Sequence, residues 1–446
     1  MPRALRCICA VLLTAATGCA EHRHFEFDVR DWVVDFLRPT KALAPLLARR
    51  ETPFHIPDQN RKATLLVNGQ YPYEIHANVN DTVSIHVRNN LISESLSIHW
   101  HGLHPFETPW TDGAVGVSQG PIEPAQNFTY TFRAWPAGTH YWHSHMDGMQ
   151  SAKGLRGPFI VHDPEAVRHL THYDEELVVV LADEWRDPSV CLKLEGAMAG
   201  NDVCSDIDYA SVNGQVAWGD MQRPDLKKYP YPLIDVEAGK CYRMRLIMMA
   251  SNAENYIVSL AGHQMTLISL DGVDVHPIQI RDINMHIGER ADVVFCADQP
   301  PGDYAVKLTY DYACALTKGN FIPPGFHAVS SCNFFAFLHY NSVDANVTYG
   351  PPTSPVGTGG GLSPKPVVGP SFDLTNPSAW RLTQPMDVHP EPEEPDARFE
   401  VTLGLNGPLY EDPGDIPLTK GQWYMDIDGR RSVNAHARYN VASEAL

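Results

Sequence analysis

Turn-forming residues interrupt this chain of 446 residues throughout, with 36 prolines and 32 glycines that leave little room for long helices. Between them lie short segments in which apolar residues occupy every second position, the period of a half-buried strand. Signals such as Asn68-Gly69 and Asp271-Gly272 separate these segments. The pattern predicts an all-β fold of antiparallel sandwiches and disfavours βαβ units. The clearest strand segments are 25–29, 81–87, 127–132, 177–181, 241–247, 256–260, 265–270 and 291–295.

Composition narrows the class of protein further. Hydrophobic residues make up 43% and charged residues 20%, as in ordinary globular proteins, which excludes chain-wide disorder, collagen-like repeats and a polytopic membrane protein. The formal net charge of −19 makes nucleic acid and anionic lipid poor candidate partners. The oligomeric state stays open.

The first 20 residues have the features of a secretory signal peptide. Two arginines precede an apolar run from Cys7 to Ala16, and small residues follow at Gly18 and Ala20. The run is too short to span a bilayer as a helix. A mis-assigned start or a frayed helix remains an alternative, as does, with less support, a lipoprotein signal ending at Cys19. We expect a secreted, extracellular protein.

Cysteine usage agrees with secretion, because six cysteines remain after residue 20, an even number that allows three disulfides. Of the 15 possible pairings, we favour Cys191–Cys204, Cys241–Cys296 and Cys314–Cys332. Three Asn-x-Thr sequences, at Asn80, Asn127 and Asn346, are candidate glycosylation sites.

Composition also divides the chain. We expect one domain over residues 22–165 and a second over 172–345. A segment rich in proline and glycine and then acidic, residues 346–396, predicts a linker or surface crossing that contributes nothing to a core. A new strand at 398–404 begins a last segment, 397–446, which is about half an ordinary domain in length.

Two His-x-His pairs are the strongest chemical signal in the sequence. His99 and His101 end one strand-like segment, and His143 and His145 lie in another, 44 positions later. Residues i and i+2 of a strand point to the same face, so each pair presents two imidazoles on one side. Neighbouring strands could bring the pairs together. Neutral imidazole suits copper, zinc, iron or nickel, and copper binds most tightly.

These residues carry a resemblance to a known family. The runs Ser97-Ile-His-Trp-His-Gly-Leu103, Trp110-Thr-Asp-Gly113 and Pro136-Ala-Gly-Thr-His-Tyr-Trp-His-Ser-His145 resemble the first cupredoxin domain of multicopper oxidases, and the laccase-like branch most of all. Segments such as Gly288-Glu-Arg-Ala-Asp-Val-Val294 resemble the second domain. The resemblance covers roughly residues 23–345 and implies tandem cupredoxin-like Greek-key β-sandwiches, two complete and a third partial.

The resemblance also implies a laccase, which oxidises phenols or aromatic amines by one electron and reduces dioxygen to water. By the family's pattern, His99 binds the type 2 copper, while His101, His143 and His145 bind the type 3 pair. Asp112 matches an acidic residue that relays protons, although an Asp-Gly turn alone would also explain it. Three further interpretations concern packing: Trp100 and Trp142 pack the strands, His104 and His140 support the ligands or pack, and structural roles suit His263 and His286.

The sequence departs from the family after residue 345, where the only histidines are His389 and His436 and no cysteine follows Cys332. In the family, a third domain supplies four further ligands of the cluster and the type 1 copper site. We therefore expect a chain truncated before those ligands, with half of the type 2 and type 3 ligand set. The alternatives are a secreted copper-binding protein without turnover, a scaffold glycoprotein and, more distantly, a zinc hydrolase. The reductant, whether phenol, ferrous iron or ascorbate, stays open.

Overall fold

The fold is seen in a computed structural model, which describes residues 20–35, 61–146, 148–164, 171–184, 207, 209–219, 230–251, 255–310, 333–340, 367–373, 403–406, 424–427 and 430–431. Strands dominate these residues, so the all-β prediction is confirmed. The only helical elements there are α1, Gly148–Ala152, and a 3-10 helix, Pro109–Thr111. Within the described ranges, neither helix nor any other is long and apolar enough to cross a membrane.

The first unit consists of two four-stranded sheets. One has the strand order β2-β1-β4-β6 and the other the order β3-β8-β7-β5. Strand β1 extends to Asp35. The bounds are β1 His22–Asp35, β2 Arg61–Val67, β3 Ile75–Asn78, β4 Thr82–Asn89, β5 Ile98–His101, β6 Asn127–Arg133, β7 Gly138–Ser144 and β8 Arg156–His162.

Aromatic side chains fill the space between these two sheets. Trp100 and Trp142 are fully buried, and Phe27 lies against both of them. Trp100 lies between His99 and His101, and Trp142 immediately precedes His143. The predicted packing role of both tryptophans is confirmed, and their burial fixes which face of β5 and β7 the histidines must take.

The second unit is one continuous path of hydrogen-bonded strands. Its order is β16-β15-β18-β13-β9-β10-β11-β20-β19-β14-β17-β21, and β12 pairs with β20. One core cluster contains residues from both ends of this path, so the sheet doubles over on itself as a sandwich. The bounds are β9 Glu175–Glu184, β10 Tyr209–Val212, β11 Gln215–Gly219, β12 Leu233–Val236, β13 Cys241–Met248, β14 Tyr256–Leu260, β15 Met265–Leu270, β16 Val273–Ile280, β17 Asp282–Met285, β18 Arg290–Cys296, β19 Asp303–Tyr310, β20 Asn333–Tyr340 and β21 Ser371–Asp373.

One predicted disulfide is present. Cys241 and Cys296 lie directly opposite each other on β13 and β18 and are bonded. The other two predicted pairs, Cys191–Cys204 and Cys314–Cys332, lie outside the described residues.

The expectation that residues 346–396 contribute nothing to a core is wrong at one place. Strand β21 lies within that segment and pairs with β17 in parallel, and Phe372 is buried in the second unit's core. The average composition of the segment did not indicate this short strand, in which Phe372 lies between two polar residues.

The last described strands lie beyond this segment. The three strands β22 Leu403–Asn406, β23 Tyr424–Ile427 and β24 Arg430–Arg431 form a separate small sheet. Strand β22 overlaps the end of the strand predicted from residue 398 to residue 404. The predicted signal segment lies outside the described residues, except for Ala20.

The two units meet through a buried polar network. The Thr139 hydroxyl donates to Asp292 Oδ1 at 2.7 Å, and it accepts from Arg245 Nη1 at 2.7 Å. The Thr139 carbonyl also accepts from Arg290 Nε. Because Thr139 belongs to β7 and the other three residues to β13 and β18, the second unit is attached directly to a strand that carries candidate ligands.

Candidate metal centre

Antiparallel pairing of β5 with β7 places the two His-x-His pairs side by side. In the register, His99 lies opposite His143, and His101 lies opposite Tyr141. Side chains alternate across a strand, so the tryptophans point into the core while the histidines share the other face. That face is covered by apolar residues of the second unit, which pack against Tyr141. The histidines are therefore only partly exposed.

Three of the four predicted ligands converge. Their ligand nitrogens, from His99, His101 and His143, all lie within 4.8 Å of one another. His145 stands at the edge of this group, with its ring centroid 5.2 Å from that of His99 and 5.8 Å from that of His143. It is the most exposed of the four. The structure thus brings all four side chains together, with His145 on the open side.

Main-chain carbonyls determine which nitrogen of two imidazoles is free. His99 Nδ1 lies 2.7 Å from the carbonyl oxygen of Asp112, and His143 Nδ1 lies 2.9 Å from that of Ser144. A carbonyl oxygen only accepts, so both Nδ1 atoms carry the proton. Each Nε2 therefore keeps a lone pair for a metal ion. An outer carbonyl that holds a ligand imidazole in this way is typical of metal sites.

Burial keeps three of the four imidazoles neutral. It lowers the pKa of His101 to about 2, and the nearby Arg290 guanidinium acts in the same direction. Burial likewise lowers the pKa of His143 to about 3 and also lowers the pKa of His145. Neutral imidazole is the form that binds metal, so protons compete weakly for this site.

Asp112 follows the 3-10 helix and reaches the cluster with two groups. Its carbonyl accepts from His99, and its carboxylate Oδ1 lies 3.4 Å from the same Nδ1. The His99 imidazole holds the pKa of this carboxyl below its usual range. Gly113 keeps the turn in place, because a Cβ there would lie 1.9 Å from the Ile98 carbonyl oxygen.

An open cavity of about 850 Å³ begins at Asp112. Its other walls come from the 3-10 helix and the loops on either side of it, including Leu103, Phe106 and Trp110. The carboxylate is 39% exposed, so it connects this water-accessible space with the imidazole of His99. A group in that position can carry protons between solvent and the cluster.

The remaining histidines divide by environment. His140 and His263 are fully buried, whereas His286 is half-buried and His104 is exposed. His140 donates from Nε2 to the Pro136 carbonyl, and His263 contacts the Tyr340 hydroxyl at 2.9 Å. Neither His104 nor His140 belongs to the three-histidine group, in agreement with their interpretation as packing or supporting residues.

Sequence reasoning missed three residues that shape the site. Tyr141 stacks on His101 with ring centroids 4.4 Å apart. Gly288 and Arg290 belong to the second unit. A Cβ at Gly288 would lie 3.2 Å from His101 Cε1, and the Arg290 guanidinium lowers the pKa of His101. The run that contains Gly288 and Arg290 was noted for its family resemblance, but nothing in it signalled contact with a ligand in the first unit.

The donor set fits copper. Imidazole nitrogens that are neutral and converge on one face suit Cu, and divalent copper binds such sites more tightly than the other first-row ions do. The three-histidine group has no oxygen-rich character that would favour calcium or magnesium.

Comparison with protein families gives two matches. A family model described as "Multicopper oxidase" matches residues 50–166, and a second model with the same description matches residues 175–321. Together the two matches include β5 and β7 with all four candidate ligands, and the strands of the second unit that contact them.

Individual relatives agree with the family models. A laccase, Laccase-4 of Trametes villosa, is 36% identical over 258 residues, which cover 56% of this chain and 47% of that protein. An L-ascorbate oxidase of Nicotiana tabacum is 31% identical over 261 residues, covering 55% of this chain and 44% of that protein. The chain therefore spans about half the length of the curated relatives it matches.

A solved structure supports the fold. The crystal structure of Fet3p, described as a multicopper oxidase that functions in iron import, superposes with a TM-score of 0.64 over 92% of this chain and 64% of that chain. At 20% sequence identity, this likeness concerns the fold alone.

Proposed function

Because the chain belongs to the multicopper oxidase family, we propose that it is the copper-binding part of a laccase-like oxidase with four ligands, His99, His101, His143 and His145. The observation that carries this proposal is the convergence of three imidazoles, those of His99, His101 and His143, within 4.8 Å. Two observations support it: burial keeps His101 and His143 neutral, and the carbonyl contacts leave a lone pair on Nε2 of His99 and of His143.

The ligands divide between two kinds of copper site in this proposal. His99 binds the type 2 copper, and the other three histidines bind the type 3 pair. When bound, copper supplies the one-electron chemistry that takes electrons from a donor and delivers four of them to dioxygen. The chain's own contribution is to hold the imidazoles neutral and oriented, and to exclude water on the side that the second unit covers.

Asp112 supplies protons in this proposal. Reduction of dioxygen to water consumes four protons, and the site must obtain them from solvent. The Asp112 carboxylate contacts His99 and lines the open cavity, which supports this role.

The donor is a phenol or a related small reductant. The relatives include laccases and L-ascorbate oxidases, so phenols and ascorbate are both donor classes to test, together with ferrous iron. Dioxygen is the acceptor.

A second candidate function is copper binding without turnover. It is favoured by the three converging imidazoles themselves, which are sufficient to bind copper without a second metal site that takes up electrons.

Secretion and domain organisation complete the proposal. The signal-like first 20 residues and the Cys241–Cys296 disulfide support an extracellular protein. The exposed side chains of Asn80 and Asn127 are available for glycosylation, whereas Asn346 lies outside the described residues. We place domain 1 at 22–165 and domain 2 at 172–345, followed by a connection over 346–396 and a partial domain over 397–446.

The experiment that separates the two functions is an oxygen-consumption assay on the copper-loaded chain with a methoxyphenol, ascorbate or ferrous iron. The oxidase proposal expects one dioxygen consumed per four electrons taken from the donor, and loss of that activity in His99→Ala/His143→Ala but not in His86→Ala, a strand histidine remote from the cluster. Copper uptake without oxygen consumption would leave the binding function alone.

A further inference from the structure

A second pair of histidines lies on the edge of the first unit, away from the candidate copper cluster. Strand β3 is the outermost strand of its sheet and pairs in parallel with β8, with Asn78 opposite His162. His76 precedes Asn78 by two positions and therefore shares its face of the sheet. His76 Nδ1 and His162 Nε2 lie 2.8 Å apart, and the side chains are 48% and 36% exposed.

The two rings face each other edge to edge. They are almost parallel, at 8°, and their centroids are 5.1 Å apart. This separation exceeds the nitrogen–nitrogen distance by about the width of one ring, so the rings do not overlap. The two facing nitrogens point along one line, the arrangement in which two lone pairs can converge on one ion.

Carboxylates fix the proton positions around this pair. Glu74 Oε1 lies 2.6 Å from His76 Nε2, and a carboxylate only accepts, so Nε2 carries the proton and Nδ1 keeps a lone pair. His162 Nε2–H therefore donates to His76 Nδ1. On the far side, His162 Nδ1 faces Glu176 Oε2 at 3.9 Å. One exchangeable proton thus occupies the space between the two imidazoles.

We propose that His76 and His162 form a second metal site, which binds a divalent transition-metal ion such as Zn²⁺ or Cu²⁺ in place of the shared proton. That proton moves to His162 Nδ1, which faces Glu176, so both ligand imidazoles stay neutral. Glu74 then acts as the outer carboxylate that orients a ligand imidazole and increases its basicity. Two imidazoles with no converging oxygen ligands favour ions of this class over calcium or magnesium.

The rearrangement needed for binding is confined to the two side chains. Two metal–nitrogen bonds of about 2.0–2.1 Å at a tetrahedral angle require the nitrogens to lie about 3.3 Å apart, so the pair must open by about half an ångström and each ring must turn by about 35° for its lone pair to point at the ion. Both side chains are half-exposed and β3 is an edge strand, so rotation at the side chains permits this. Water completes the coordination.

This site is independent of the candidate copper cluster. In the β7–β8 register, Val161 lies opposite Gly138 while Arg156 lies opposite His143. His162 thus lies near the start of β7 and His143 near its end. At about 3.3 Å per residue, some 20 Å of strand separates them, too far to share one ion.

The test is Zn²⁺ binding by equilibrium dialysis on four full-length variants in a two-by-two design. The variants are wild type, His76→Gln/His162→Gln, His99→Ala/His143→Ala and the combination of all four changes. We expect His76→Gln/His162→Gln to remove one Zn²⁺ per chain in both backgrounds, or to weaken it at least tenfold. His86→Gln, a strand histidine that contacts Thr129 instead of another histidine, should remove none.

Equal Zn²⁺ stoichiometry with and without His76 and His162 would overturn the proposal, as would no binding in the His99→Ala/His143→Ala background. A lower Zn²⁺ stoichiometry in His99→Ala/His143→Ala than in wild type reports on the copper cluster instead. Failure of one site can therefore be distinguished from failure of the other. In the wild-type chain, Zn²⁺ should also shift the imidazole NMR signals of His76 and His162. Unshifted signals would contradict the site without relying on any variant.

Discussion

At the scale of single residues, the metal-binding character of the site depends on hydrogen bonds made by the backbone. The carbonyls of Asp112 and Ser144 each take the Nδ1 proton of a histidine and leave Nε2 free. The Asp112 side chain is a separate contributor, 3.4 Å from His99 Nδ1. Because carbonyl and carboxylate come from the same residue, mutation can remove the second without the first.

Asp112→Asn should therefore separate binding from proton supply. The substitution keeps the carbonyl that orients His99, so the copper content should stay unchanged. Dioxygen reduction should slow by about 10²-fold, the low end of what a positioned acid or base contributes. Copper analysis and oxygen consumption on the same preparation check this, and loss of copper would instead assign Asp112 a structural role.

His140 should make the metal-free protein sensitive to acid. Burial lowers its pKa to about 3, and the Arg290 guanidinium contributes in the same direction. Below pH 6.5 the His140 imidazole binds a proton in the unfolded chain but not in the folded chain, so the free energy of unfolding decreases as the pH is lowered. Above pH 6.5 the imidazole is neutral in both states, and its contribution is constant. Two pH units below 6.5, this one group lowers the free energy of unfolding by about 2.7 kcal/mol.

His140→Gln is the variant that checks this, because an amide can still donate to the Pro136 carbonyl but does not titrate. Urea unfolding at pH 7.5 and pH 4.5 should show a smaller pH-dependent loss in the variant than in the wild type, by about 2.7 kcal/mol. An identical loss in both proteins would show that His140 is protonated in the folded state.

At the scale of elements, the site is an antiparallel strand pair covered by a turn from the other unit. Pairing of β5 with β7 aligns the histidines, and the turn before β18 brings Gly288 against His101. The φ of +85° at position 288 is also a backbone conformation that favours glycine. The fit of this turn limits how His101 can move.

Gly288→Ala should weaken copper binding about tenfold, as expected for loss of support around a ligand. The added Cβ would lie 3.2 Å from His101 Cε1 and push the imidazole aside. Gly239→Ala is a matched control, since Gly239 has a φ of +89° and open space around it. Both variants should lose similar stability, about 1–2 kcal/mol. Equal copper affinities in the two variants would contradict the contact.

The strands and the histidine pairs could be predicted because their signals are local. Side chains alternate along β5 and β7, so the i, i+2 spacing of each His-x-His pair is enough to predict that its two histidines share one face. The contact of Gly288 with His101 joins positions almost 190 apart, and no periodic pattern reports it. Strand β21 was missed for a related reason, because its pairing with β17 comes from packing and not from the composition of its own segment.

At the scale of the whole molecule, the two units are joined by charges buried between them. Asp292 accepts from Thr139 and lies against the guanidinium groups of Arg243 and Arg245. Burial alone would raise the pKa of Asp292, but the two arginines hold it below its usual range. The ionised carboxylate therefore belongs to the folded structure, and it ties β7 to the second unit.

Asp292→Asn should destabilise the protein by about 3–5 kcal/mol, because it leaves two arginines buried with less compensating charge. Glu26→Gln removes the partner of the largely exposed Arg88 and should cost about 0–1 kcal/mol. Urea unfolding of both variants gives the comparison. A small loss in Asp292→Asn would show that water enters the interface and replaces the carboxylate.

The central claim is that the imidazoles aligned by β5 and β7 bind copper, and copper content measures this most directly. Wild-type chain incubated with excess copper and then desalted should retain copper, whereas His101→Ala/His143→Ala should lose all copper except an ion held at His76 and His162. His263→Ala, which changes a buried histidine of the second unit, serves as the control and should retain as much as wild type. Copper retained equally by His101→Ala/His143→Ala and by wild type would contradict the account.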